Sequence, residues 1–186
     1  AAGMLSRKGV ISKINSKAID LLNKAGAINL GHLNMHEAAL GSTNENPLHG
    51  KTYNPHMEGF TPGGSSGGSG AAVASGFSLF SLGTDTLGSI RIPAAYCGVS
   101  GMKPSKGLVS LSGVVPLCSS FDTLGPLARS SKDLSMILDL LICFDPNCSE
   151  SVDINIQRDF TYVLDLCNAY ERILKNKSFI GKEINV

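Results

Sequence analysis

The sequence predicts an α/β fold, and three observations carry that expectation. Apolar residues recur at helical spacing in two segments, 15–25 and 131–142. Short apolar runs of strand length lie between them. A Gly/Ser turn at 63–70 runs straight into AAVASGF and then into FSLFSLG, as a tight turn opening a closely packed helix followed by a strand. The 186 residues make one ordinary domain or slightly more, enough to bury a core without metal or disulfide staples.

Taken in order, NSKAIDLLNKA at 15–25 has apolar side chains at 18, 19, 21, 22 and 25, with Asn15 or Ser16 as cap and Gly26 as stop. AINLG at 27–31 fits a buried strand, and 34–40 fits one or two helical turns. From Gly41 to Gly64 the chain is rich in Asn, Pro, Gly and His and reads as a long loop, the kind that usually carries function. GGSSGGSG at 63–70 has the composition of a flexible linker, but a linker separates self-sufficient domains, and this one does not. GLVSLSGVVPL and FDTLGPLARS follow as short apolar pieces. SKDLSMILDLLI at 131–142 is an amphipathic helix capped by Ser130 or Ser131, with Asp133 in its first turn. DPNCSES breaks the pattern after residue 145. The expected division is therefore 1–145 as core and 146–186 as a helical segment, whose apolar stripe at 158–175 needs a further surface to cover it.

Composition excludes several classes. Hydrophobic residues make up 42% and charged residues 17%, which argues against disorder. Sixteen basic against fifteen acidic residues leave a net charge of +1, too little to attract nucleic acid or an anionic membrane. Ala71–Leu82 is too short and too Ser/Gly-rich to span a bilayer, and AAGMLSRKGV has no apolar core of a secretory signal. Five cysteines without a C-x-x-C pair argue against zinc or a disulfide framework and for reduced thiols in the cytoplasm.

The chemistry-bearing residues narrow the choice further. The four histidines, His32, His36, His49 and His56, all fall in the polar stretch, and no G-x-S-x-G elbow accompanies them. HLNMH at 32–36 lacks the Glu a zinc-protease helix carries between its histidines, so no metal is expected. The Gly/Ser turn could cradle phosphate through its N–H groups, but Gly70 is followed by Ala71-Ala72-Val73 where a phosphate loop has Lys-Ser/Thr. That leaves two serines in Gly-flanked turns, Ser65 and Ser89.

PGGSSGGSGAAVA, the 24-residue step to GTDTLGSIRIPAAYCGVSGMKP, and SGVVPLCSSFDTLGPLAR together resemble the amidase signature family of serine amidohydrolases. AGAINLGHLNMHEAALGSTNENPLHGKTYNP upstream matches as well, so the resemblance covers about residues 15–145. It implies a mixed sheet with helices on both faces, incomplete in this chain, with Ser65 and Ser89 at adjacent turns. It implies Ser89 as nucleophile and Ser65, joined to Gly64 by a cis peptide bond, as the bridge to a neutral Lys base. Backbone N–H groups of the turn Thr86-Leu87-Gly88-Ser89 are the oxyanion donors. Asp85 and Arg91 are read as a supporting ion pair, and Ser66 as a supporting hydrogen-bonding residue. No cofactor is implied.

Two departures stand out. Leu87 occupies a position where the family has a small residue, and the family's catalytic Lys has no counterpart, because Lys8, Lys13 and Lys17 lack its context and Lys103 matches another position. The expected function is hydrolysis of a carboxylic amide through an acyl-serine, as part of a longer amidase. One alternative is the A-type glutaminase and amidotransferase component of tRNA-dependent amidation. Ile92 (where that branch has Gln), GVVP at 113–116 and FDT at 121–123 argue for the general amidase instead. The other alternative is a non-catalytic remnant. The expected partners are a small amide substrate and either a second copy or a complementing amidase segment.

Overall fold

The computed structural model describes residues 1–153, which fall within one compact unit, Ala1–Ile154. The helix expected at 158–175 lies outside the described residues. After a single 3-10 turn at Leu5–Arg7, the first helix, α1, spans Lys17–Lys24. Ser16 caps it, its hydroxyl accepting from the Ile19 N–H at 3.4 Å, and Ala18 and Leu22 face inward. Asn15 instead donates to Asp20 Oδ1 at 2.8 Å. Gly26, at φ +87°, ends the segment in a backbone region that favours glycine.

AINLG is not a strand. Ile28 and Leu30 are 85% and 77% exposed, and the Asn29 side chain accepts from the Gly31 N–H at 2.9 Å, closing a local turn. No described strand lies beside the segment, and an apolar run without a partner ladder has no reason to extend. The 34–40 segment holds one 3-10 turn, Glu37–Ala39. The long loop contains a two-residue antiparallel ladder between β1, Glu45–Asn46, and β2, Gly50–Lys51. Asparagines fasten this loop to the rest of the unit. Asn44, fully buried, donates to Thr52 Oγ1 at 2.8 Å and accepts from the Gly67 N–H at 2.9 Å, and Asn54 donates to the Tyr96 carbonyl at 2.7 Å.

The core follows. Helix α2 spans Gly67–Ala74, strand β3 Phe80–Asp85, helix α3 Arg91–Cys97, strand β4 Ser100–Gly101, strand β5 Thr123–Ala128 and helix α4 Ser131–Leu141. The last is capped by Ser130, whose hydroxyl accepts from the Asp133 N–H at 3.2 Å. The sheet runs in the order β3-β5-β4, and each described ladder is antiparallel. Its central strand is buried at all six residues, as a strand covered on both faces is. Helices α2 and α3 pack together, α2 also on β3 and β5, while α4 packs on β5, β4 and α1. The chain is thus an α/β structure with helices flanking the sheet, in agreement with the sequence. Val73, Ile90, Ala94 and Leu127, with Val99 against them, form the core between α2, α3 and β5.

Pro126 shapes the sheet. It has no N–H, so the ladder toward β4 is limited to what its carbonyl can accept, here the Met102 N–H at 3.1 Å. A regular pair would need Pro126 to donate back to the Met102 carbonyl. That carbonyl instead lies against Gly125, where a Cβ would meet it. Strand β4 therefore ends at Gly101, and the chain leaves the sheet at Met102-Lys103.

Candidate active site

Two turns meet at the end of β3. One, Gly63 to Ser66, opens α2, and the other, Thr86 to Ile90, joins β3 to α3. The Ser66 N–H donates to the Ser89 carbonyl at 3.1 Å, so the sheet and helices bring the two serine motifs side by side across 24 residues of sequence. The Gly64–Ser65 peptide bond is cis. Glycine is required here by proximity, since a Cβ on Gly64 would lie 2.8 Å from the Gly41 carbonyl. Ser66 Oγ donates weakly to the Thr84 carbonyl at 3.4 Å, and Gly83 leaves room for it.

Ser65 is fully buried, its carbonyl accepts from the His36 N–H at 3.0 Å, and its hydroxyl has no hydrogen-bond partner among the described residues. No bond joins the Ser65 and Ser89 hydroxyls in this structure. Ser89 is half-buried on the same turn as the exposed Leu87.

Asp85 organises the turn from Thr86 to Ile90. It is fully buried and accepts from the N–H groups of Gly88 at 2.8 Å, Ile90 at 3.2 Å and Arg91 at 3.3 Å. The Arg91 side chain adds Nε to Oδ2 at 3.0 Å and Nη2 to Oδ1 at 3.1 Å, a two-pronged ion pair. Burial alone would raise the Asp85 carboxyl. The Arg91 side chain and the Ile90, Gly88 and Arg91 N–H groups outweigh it and hold the pKa at about 2.

The oxyanion donors expected at Thr86, Leu87 and Gly88 divide into two groups. The Gly88 N–H is engaged by Asp85, whereas the N–H groups of Thr86, Leu87 and Ser89 have no acceptor among the described residues. Leu87 is not among the positive-φ residues and its side chain is 83% exposed, so a large residue is accommodated at the tip of the turn. Gly88, at φ +131° with Ile92 within 2.9 Å of a notional Cβ, is the position that needs glycine.

Sequence reasoning missed three contributors. Lys103 Nζ donates to the carbonyls of Asp85 at 2.6 Å, Thr86 at 2.9 Å and Phe121 at 3.0 Å, and to Asp85 Oδ1 at 3.2 Å. Asp122 accepts from Thr86 Oγ1 and from the N–H groups of Leu117 at 2.8 Å and Cys118 at 2.9 Å. Thr123 Oγ1 donates to the Asp85 carbonyl at 3.1 Å. All three reach the turn from positions 17 to 38 residues away, with no local spacing to reveal them.

An open cavity of about 730 Å³ is lined by Leu33, Tyr53 and Phe77 among others, and neither Ser65 nor Ser89 lines it. His56 Nε2 is hydrogen-bonded to the Cys97 carbonyl at 2.9 Å. Among the described residues no cluster of His, Cys, Asp or Glu is arranged to hold a metal, and no helix is long and apolar enough to cross a membrane.

This fold, with its paired Gly/Ser turns, is that of the amidases. A family model described as Amidase matches residues 1–166, and the chain belongs to that family. It is 48% identical over 150 residues to the A-type component of the glutamyl-tRNA(Gln) amidotransferase of Aliarcobacter butzleri (strain RM4018), covering 81% of this chain and 33% of that protein. Among solved structures, the same component of the glutamyl-tRNA(Gln) amidotransferase from Thermotoga maritima superimposes with a TM-score of 0.80 at 36% identity, over 82% of this chain and 34% of that one. Native peptide amidase from Stenotrophomonas maltophilia does so with a TM-score of 0.80 at 35% identity, over 87% and 34%. The chain spans about a third of the length of the curated relatives it matches.

Proposed function

We propose that this chain carries the nucleophile half of an amidase that splits a carboxylic amide through an acyl-Ser89 intermediate. In this reading a neutral Lys, supplied from outside the chain, takes the Ser65 hydroxyl proton while Ser65 takes that of Ser89. Ser89 Oγ then bonds to the amide carbon, the carbonyl oxygen becomes the oxyanion, and the returning proton leaves with the amine as the C–N bond breaks. Water releases the acid by the same relay. The observation that carries this reading is the Ser65 hydroxyl, fully buried and without a partner among the described residues, beside the Ser89 turn. Leaving such a group unsatisfied costs about 1–3 kcal/mol, and a base docked on it would remove that cost. A cytoplasmic setting fits the four described cysteines, which are free.

The test is substitution in a whole amidase polypeptide that carries this chain. Ser89→Ala should abolish turnover of simple aryl and aliphatic amides together with labelling by a fluorophosphonate. Ser65→Ala should lower kcat by about 10²- to 10⁴-fold, the usual worth of general-base assistance. Undiminished turnover in Ser89→Ala refutes the mechanism.

A second reading is favoured by the relatives: at 48% identity to a component of a glutamyl-tRNA(Gln) amidotransferase, the same serines would release ammonia from an amide donor for transfer to glutamyl-tRNA(Gln). Ile92, Gly113–Pro116 and Phe121–Thr123 speak for the amidase branch instead. Glutamine hydrolysis stimulated by glutamyl-tRNA(Gln) selects the second reading, and turnover of simple amides indifferent to that tRNA selects the first.

A further inference from the structure

We propose that Lys103 is the positioning residue that sets the oxyanion site, by holding the Asp85 and Thr86 carbonyls so that the N–H groups of Thr86 and Leu87 face the opposite way. The inference rests on Ser89 as nucleophile. In a trans peptide unit the C=O and the following N–H point in opposite directions. The units Asp85–Thr86 and Thr86–Leu87 are both trans, and Lys103 Nζ lies 2.6 Å and 2.9 Å from their carbonyl oxygens. Lys103 shares the Asp85 carbonyl with Thr123 and also holds the Thr86 carbonyl, and fixing these two fixes two of the turn's three N–H groups that have no acceptor among the described residues. The Gly88 N–H is engaged by Asp85, which leaves the N–H groups of Thr86, Leu87 and Ser89 for an oxyanion, the first two of them oriented through Lys103.

Lysine suits the task. Its ammonium has three protons on a flexible stem and can bridge several carbonyls at different angles. Here it also bonds the Phe121 carbonyl at 3.0 Å, tying the turn to the segment that leads into β5. Every polar neighbour of Nζ is an acceptor, so Lys103 acts as a donor and not as the base of the relay. Around the turn, Asp85 and Asp122 stand against Arg91 and Lys103, two charges of each sign. Delivery of the side chain follows from Pro126, which ends β4 and releases the chain at Met102.

The test uses the whole amidase polypeptide. Lys103→Met should lower kcat about 100-fold, the range for loss of one oxyanion donor, with KM within about threefold of the parent. A folded Lys103→Met protein with kcat within threefold of the parent overturns the inference. The second measurement needs no Lys103 variant. In the parent protein reacted with a fluorophosphonate, whose phosphoryl oxygen occupies the oxyanion position, amide exchange by NMR should slow at Thr86 and Leu87. Unchanged exchange at both amides overturns the inference even if Lys103→Met fails to fold. Normal turnover in Ser89→Ala would show that the nucleophile assignment had failed, separately from either result.

Discussion

Asp85 shows how one residue can hold a turn. Its carboxylate receives three backbone N–H groups and both prongs of Arg91, and its carbonyl receives Lys103 and Thr123. With a folded pKa of about 2 against about 3.9 for an unfolded aspartate, this group stabilises the fold above pH 4 by about 2.5 kcal/mol. That contribution is lost as pH falls from about 4 through 2, because the unfolded chain binds the proton first. Urea melts across this window should show the loss in the parent and a flatter acid limb in Asp85→Asn, which should also be about 2–3 kcal/mol less stable at pH 7. Parallel acid limbs in the two proteins would contradict this account. The Asp85–Arg91 pair was legible in the sequence because six residues across one turn bring the two side chains together. Lys103 and Asp122 were not, because the β3–β5 and β4–β5 ladders together bring them to the same place.

At the scale of an element, α2 contradicts local propensity. A helix beginning Gly-Gly-Ser-Gly gives up about 1 kcal/mol per glycine relative to alanine. Its packing supplies the reason. A Cβ on Gly68 would lie 2.2 Å from the Asn34 carbonyl oxygen, and one on Gly70 would lie 3.0 Å from the Pro93 carbonyl oxygen. The Gly68 N–H also donates to the Asn34 carbonyl at 3.1 Å. Gly68→Ala should therefore destabilise the protein by about 1–3 kcal/mol, overpacking outweighing the gain in propensity. An unchanged or raised urea midpoint would show that the close approach is absent in solution. The 27–31 run is the converse: its composition suits a strand, but no described neighbour accepts its hydrogen bonds as a ladder would, and Ile28 and Leu30 face solvent.

For the whole molecule the same exposure recurs. Ile11, Ile14, Ile28, Leu30, Phe77, Leu79 and Leu87 are each more than 70% exposed. Pro126 opposite Leu82 requires Ser81, Gly83 and Asp85 to make the hydrogen bonds to β5, so the N–H groups of Leu82 and Thr84 point out from that edge. Ser69 and Ser66 hydroxyls reach the carbonyls of Leu82 and Thr84 on the same side. The edge is thus partly covered, and it is the bare apolar side chains that favour association. Residues 1–186 expressed alone should sediment as oligomers at micromolar concentration, bind a hydrophobic dye and show little or no amidase turnover. A monomer with sharp cooperative unfolding and robust turnover would overturn this expectation.

Some features were decided locally, and the sequence by itself determined them. Helix α1 with its Ser16 cap, helix α4 with its Ser130 cap, the Gly/Ser turn opening α2 and the strand at Phe80–Asp85 all rest on periodicity, caps and glycine, which act within a few residues. The motif spacing also pointed to Ser65 and Ser89. Only the tertiary structure decided which N–H groups of the Thr86–Ile90 turn are engaged by described residues and which are not, that Leu87 projects into solvent, and that Lys103 is drawn onto the Asp85 and Thr86 carbonyls. Those outcomes depend on Pro126 ending β4 and on antiparallel pairing across about 40 residues, and pairing at that distance is written in no local pattern.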